Sequence, residues 1–90
     1  MAQVKITPDA MEQLDQLPKP TQGRVRNVLV RLSAWPAVSG AKPLRGRLSG
    51  SFRIRTGDYR VIFTYRKGDD SVLVWKIGYR GGIYDEERRT

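Results

Sequence analysis

The stretch Phe52-Arg53-Ile54-Arg55-Thr56-Gly57-Asp58-Tyr59-Arg60-Val61-Ile62-Phe63 constrains the fold more than any other part of the chain. Residues alternate on both sides of Gly57-Asp58 with the two-residue period of strands that bury one face. Gly in the first central position suits a two-residue type II′ turn. With Gly57 and Asp58 as the loop, Thr56 faces Tyr59 and the register follows. Arg55 then lies opposite Arg60, Ile54 opposite Val61, Arg53 opposite Ile62 and Phe52 opposite Phe63. Ile54, Val61, Phe52 and Phe63 share one face, and the three arginines share the other.

A third strand, roughly Val72 to Tyr79, follows the turn Lys67-Gly68-Asp69-Asp70. The register that buries the larger apolar set places Leu73, Trp75 and Ile77 on the buried face. Lys76 and Arg80, of opposite parity, then join the arginines. Upstream, Val4-Lys5-Ile6 is short and alternating, as a first strand would be. Thr7-Pro8-Asp9 reads as an N-cap, a proline at the first helical position and an acid in the first turn. Ala10, Leu14 and Leu17 mark a short amphipathic helix. Pro18 and Pro20 close it and open a second helix, whose apolar face carries Val25, Val28, Leu29, Leu32 and Trp35. Residues 37–51, with Gly40, Pro43, Gly46 and Gly50, read as a connector. The expected fold is α+β over residues 1–90 as a single domain. An N-terminal strand precedes an αα-hairpin, which packs on one face of an antiparallel sheet with a three-stranded meander and leaves the other face exposed.

Composition narrows the chemistry. The 90 residues include no Cys and no His, which excludes disulfides, thiolate catalysis and the commonest metal ligand and neutral-pH base. No metal or other cofactor is expected. The net charge is +8, and it is unevenly spread. Residues 37–66 carry Lys42, Arg45, Arg47, Arg53, Arg55, Arg60 and Arg66 against Asp58 alone. Such clustering points to a polyanionic partner. No apolar run approaches the ~20 residues of a membrane span, and Lys5 and Asp9 interrupt the N-terminus too early for a signal peptide. A cytoplasmic protein without a membrane partner is the expectation.

The arginine face admits two readings: solvated surface charge, or an anion site. Opposed like charges on a sheet cost roughly 0.2–1 kcal/mol, which a fold accepts when the groups point into water or when an anion sits between them. Guanidinium forks bind phosphate oxygens bidentately, and a neighbouring aromatic ring can stack on an unpaired base. Tyr84, close by on the tail, is open to packing or to substrate contact. Trp35 and Trp75 read as core. Asp69-Asp70 reads as a solvated turn with too few ligands for a metal, and Asp85-Glu86-Glu87 as a soluble tail.

Leu44-Arg45-Gly46, the Gly57-Asp58-Tyr59-Arg60-Val61-Ile62 stretch, Ile77-Gly78-Tyr79-Arg80 and Tyr84 resemble the RelE/ParE toxin superfamily of toxin–antitoxin modules. The likeness spans nearly the whole chain. It implies a ribosome-dependent, metal-independent endoribonuclease of the RelE branch. Such an enzyme cleaves messenger RNA in the A site by attack of the 2′-hydroxyl on the adjacent phosphate. The resemblance assigns catalytic roles to Arg55, Arg60, Arg80 and Tyr84. Arg60 would stabilise the phosphorane-like charge, Arg80 would help the leaving oxygen and Tyr84 would orient the nucleotide. Arg45, Arg47, Arg53 and Lys76 would bind substrate. Implied partners are messenger RNA on the ribosome, ribosomal RNA and a RelB-like antitoxin with an acidic or amphipathic helical segment.

Where members of the family carry lysines in the hairpin strand, this chain has Arg53 and Arg55. Arginine stays protonated in proteins, so either Tyr84 contributes to base chemistry or the reaction leans on electrostatic stabilisation and in-line positioning. Tyr79 stands where many relatives have His, and Gly82 where an acid is frequent. Two further functions share the scaffold: a ParE-like, non-enzymatic toxin that inhibits DNA gyrase, and a catalytically degenerate member.

Overall fold

A computed structural model of the chain describes residues 1–79; Arg80 and Tyr84 lie outside the described residues. The alternating N-terminus forms strand β1, Gln3–Ile6. Thr7 then caps helix α1, Pro8–Asp15, its Oγ1 accepting the Ala10 N–H at 3.2 Å. That bond satisfies one of the free donors at a helix start and contributes about 1 kcal/mol. The helix stops at Asp15, short of Leu17. Helix α2 spans Lys19–Leu32. The Gln22 side chain donates to the Asp15 and Leu17 carbonyls at 3.1 and 2.9 Å, tying the first turns of α2 to the open end of α1. Beyond Leu32 the chain turns, and Trp35 lies in that turn rather than in the helix.

Four more strands follow: β2, Lys42–Pro43; β3, Ser51–Thr56; β4, Tyr59–Arg66; and β5, Ser71–Tyr79. They form one five-stranded sheet in the order β1-β5-β4-β3-β2. Neighbours run antiparallel except β1 and β5, which pair in parallel. The helices cover one face. Ala10 and Leu14 from α1 and Val25, Val28 and Leu32 from α2 meet Ile54, Val61, Phe63, Val72, Val74 and Ile77 from the sheet. Each of these Val, Leu, Ile and Phe side chains contributes roughly 1.5–3 kcal/mol by leaving water. Trp35 packs against this core as expected, its ring edge-on to Phe52 at 4.9 Å and Phe63 at 5.2 Å.

A first correction concerns β5. Of Leu73, Trp75 and Ile77, only Ile77 lies under the helices; Val72 and Val74 fill the other places. The cause is a β-bulge. Ile62 pairs with Lys76 while the next residue, Phe63, pairs with Val74, so Trp75 is an extra residue in β5. One inserted residue shifts the alternation of everything before it.

The second correction concerns residues 37–51. They hold edge strand β2 and a 3-10 turn at Gly46–Leu48. Leu44 and Leu48 pack with Ile62 and Trp75 into a second, small apolar cluster. This cluster sits on the sheet face away from the helices, so that face is partly covered rather than open. Among the described residues no helix is long and apolar enough to cross a membrane.

Candidate functional site

The β3–β4 hairpin has the register that its turn chemistry predicts: Arg55 faces Arg60, Ile54 faces Val61, Arg53 faces Ile62 and Phe52 faces Phe63. Gly57 takes the left-handed conformation (φ +62°) and Asp58 does not, which is the pattern of a type II′ turn. Because Ile54, Val61 and Phe63 bury under the helices, Arg53, Arg55 and Arg60 occupy the opposite face. The bulge brings Lys76 opposite Ile62, so Lys76 stands on the same face as the arginines. Arg60 also faces Gly78, which sets no side chain directly opposite it.

The basic groups occupy different environments. Arg55 is exposed and Arg53 and Lys76 are half-buried, whereas Arg60 is only 1% exposed. An open array of all three arginines is therefore not what the fold presents. Arg60 places a permanent charge in a desolvated position, where its field on an anion is far stronger than in water.

Residue Lys42 was not legible as part of this face. The β2–β3 register sets it directly opposite Arg53, making a second like-charge pair next to Arg55 and Arg60. The signal was a strand of two residues, one of them proline, and no periodicity survives at that length. Arg45 and Arg47 are exposed at the 3-10 turn, which Leu44 and Leu48 pin against the sheet. They rim the face rather than lie on a strand. None of Lys42, Arg45, Arg47, Arg53 or Arg55 is held by an ion pair with another described residue. An ion pair from Lys5 Nζ to Asp69 at 3.2 Å lies at the β1 end of the sheet.

Beside the basic groups runs a short polar relay. The Trp75 indole Nε1–H donates to Thr64 Oγ1 at 3.1 Å, and Thr64 shares a hydrogen bond of 3.0 Å with the Ser51 hydroxyl. On the other side of the sheet, α1 reaches the part of β5 that runs beyond its pairing with β1, where Gln13 Oε1 accepts the Ile77 N–H at 2.8 Å. At the end of the sheet, Tyr59 and Tyr79 meet edge-to-face at 5.7 Å.

The acidic turn is occupied with local bonds. Asp69 accepts from the Ser71 hydroxyl at 2.6 Å and from Lys5, and both hold its carboxyl below the usual range, the hydroxyl more than the ammonium. Asp70 accepts from the Tyr65 hydroxyl at 2.8 Å, which raises the phenol. Among the described residues no group of three or more carboxylates gathers as a metal site would require.

The chain matches the family model described as ParE toxin of type II toxin–antitoxin system, parDE, over residues 4–84. It is 31% identical over 86 residues to Toxin RelG of Mycobacterium tuberculosis, an alignment covering 90% of this chain and 93% of that protein. Its structure is similar to a chain of the RelBE2 toxin–antitoxin complex of Mycobacterium tuberculosis, with a TM-score of 0.78 and 29% identity over 88% of this chain and 98% of the other. It is also similar to a chain of the archaeal RelE–RelB complex of Pyrococcus horikoshii, with a TM-score of 0.71 and 28% identity over 89% and 96%.

Proposed function

This chain belongs to the RelE/ParE superfamily of type II toxin–antitoxin toxins, and from that premise we propose that it is a ribosome-dependent, metal-independent endoribonuclease acting in the cytoplasm. The observation that supports this reading is the β3–β4–β5 register. It sets Arg53, Arg55, Arg60 and Lys76 on one face, in the most basic part of the chain. In the reaction the ribose 2′-oxygen attacks the adjacent phosphorus and the bond to the 5′-oxygen breaks. The 2′-hydroxyl gives up its proton and the departing oxygen takes one, leaving a 2′,3′-cyclic phosphate and a 5′-hydroxyl. Atoms balance without a metal or cofactor.

Arg53 and Lys76 hold the phosphodiester, and Arg45 and Arg47 guide the strand from the rim. Arg60, already desolvated, stabilises the charge that grows on the phosphorane-like oxygens, where preorganised donors act most strongly. Arg80 serves the leaving oxygen and Tyr84 orients the nucleotide. No arginine is a general base, so the hairpin contributes electrostatic stabilisation and alignment, and the ribosome supplies part of the positioning. A RelB-like antitoxin keeps the toxin silent by covering the basic face with an acidic or amphipathic segment. The antitoxin complexes of the similar structures favour such a partner.

The ParE description of the matching family model favours a second reading, a non-enzymatic toxin that inhibits DNA gyrase. Primer extension on messages translated in a purified system separates the two. Cuts within A-site codons that vanish with Arg53→Ala and with Arg60→Met, a change of charge at similar bulk, support the nuclease. Intact message together with impaired gyrase supercoiling moves the assignment to the second reading.

A further inference from the structure

The bulge in β5 does more than reset an alternation. It sends two consecutive side chains, Trp75 and Lys76, to the face away from the helices. An aromatic ring and an ammonium group thus stand next to each other beside Arg53, which faces Ile62 as Lys76 does. Trp75 differs from Trp35 in its surroundings. Trp35 meets three rings, Phe52, Phe63 and Tyr65. Trp75 meets no other ring among the described residues; its apolar neighbours are Leu44, Leu48 and Ile62. It remains half-buried. Its one polar atom is already satisfied by Thr64, which Ser51 in turn holds. The indole is therefore anchored at its edge, with little rotamer freedom left to lose when something packs on its face.

We infer that Trp75 is a nucleobase-stacking subsite, taking an unpaired base of the RNA strand whose phosphates the adjacent Lys76 and Arg53 hold. This rests on the nucleic-acid reading of the basic face and adds to it a contact with the base. An aromatic ring among cations is the combination that single-stranded nucleic acid requires, because the backbone follows the charge while any base offers a π-face. Bulges commonly re-aim a side chain next to a functional site. Without the extra residue, Trp75 would follow the parity that places it under the helices.

The test compares two probes of equal length and charge, a single-stranded RNA oligonucleotide and its abasic counterpart. In Trp75→Leu, which keeps an apolar group against Leu44 and Leu48, affinity for the RNA falls on the order of tenfold while affinity for the abasic strand is unchanged. Trp75→Phe, retaining a ring, recovers most of the loss. In Trp35→Phe, where Trp75 is the remaining tryptophan, its fluorescence is quenched by the RNA and not by the abasic strand. Equal affinities of Trp75→Leu and wild type for RNA, with unquenched Trp75, overturn the stacking subsite. If Arg53→Ala still weakens both probes in that case, the phosphate-binding reading stands without it. Failure of wild type to bind either probe overturns both.

Discussion

Arg55 and Arg60 face each other across β3 and β4, yet one is exposed and the other is 1% exposed. Their Cβ atoms are about 5 Å apart in such a pairing, so two permanent charges share one rung of the sheet in different solvation. Lys42 and Arg53 repeat the arrangement on the neighbouring pair of strands. A fold selected only for stability gains nothing from two opposed like-charge rungs. A fold that grips a phosphodiester recovers the repulsion when the anion arrives.

Replacing Arg55 by Thr, a good strand former, should therefore raise stability while weakening function. The expected gain is roughly 0.2–1 kcal/mol from relieved repulsion, read from urea unfolding. Affinity for single-stranded RNA should fall in the same protein. Loss of stability would show that the exposed guanidinium holds the hairpin rather than its ligand.

Arg55→Lys should keep or raise cleavage activity. Lysine supplies the same charge and, unlike arginine, a proton that can be removed near neutrality when neighbouring cations depress its pKa. Single-turnover rates on programmed ribosomes measure this. Complete loss would mean that bidentate contact with phosphate outweighs any base chemistry.

Gln13 binds the edge of β5 immediately after the bulge, through the Ile77 N–H. In Gln13→Leu that amide loses its acceptor in a part-buried position, at a cost of about 1–3 kcal/mol. Hydrogen exchange at Ile77 should accelerate well beyond that at Val61, which sits opposite it in β4. Gln13→Glu, which keeps an acceptor oxygen, should restore protection.

The β4–β5 turn gives stability an acid limb. The Ser71 hydroxyl and then Lys5 hold the Asp69 carboxyl below its ordinary value of 3.8. A depressed folded-state value means the contribution is complete above about pH 4 and is lost as pH falls through the folded value. Asp69→Asn should flatten this limb in acid unfolding followed by circular dichroism. Tyr65 behaves in the opposite sense: its phenol is raised above 10.0, first by the bond to Asp70. Its contribution holds below pH 10 and fades as pH climbs through the raised value.

The parts of this fold that were legible in the sequence are those fixed by local chemistry. Gly57-Asp58 admits one two-residue turn, and that turn dictates every pairing from Phe52–Phe63 to Arg55–Arg60. Thr7 and Pro8 likewise mark the start of α1. The β5 bulge was not legible, because one extra residue between Val74 and Lys76 changes no composition and Trp75 suits either face. Strand β2 escaped because Lys42-Pro43 is shorter than any period, and proline is tolerated only where a strand edge needs no donor. The burial of Arg60 escaped for a different reason. Arginine is among the residues least often buried, and strand parity specifies a face without specifying depth.

The most direct test of the basic face removes equal charge from opposite sides of the molecule. Lys19 and Arg26 are exposed on α2, and Arg53 and Arg55 lie on the far face of the sheet. Both alanine pairs lower the net charge by two, so steering by overall charge changes alike. A-site cleavage, read by primer extension, should disappear in Arg53→Ala/Arg55→Ala and persist in Lys19→Ala/Arg26→Ala. Cleavage that survives loss of the sheet pair, or fails equally in both, would contradict it.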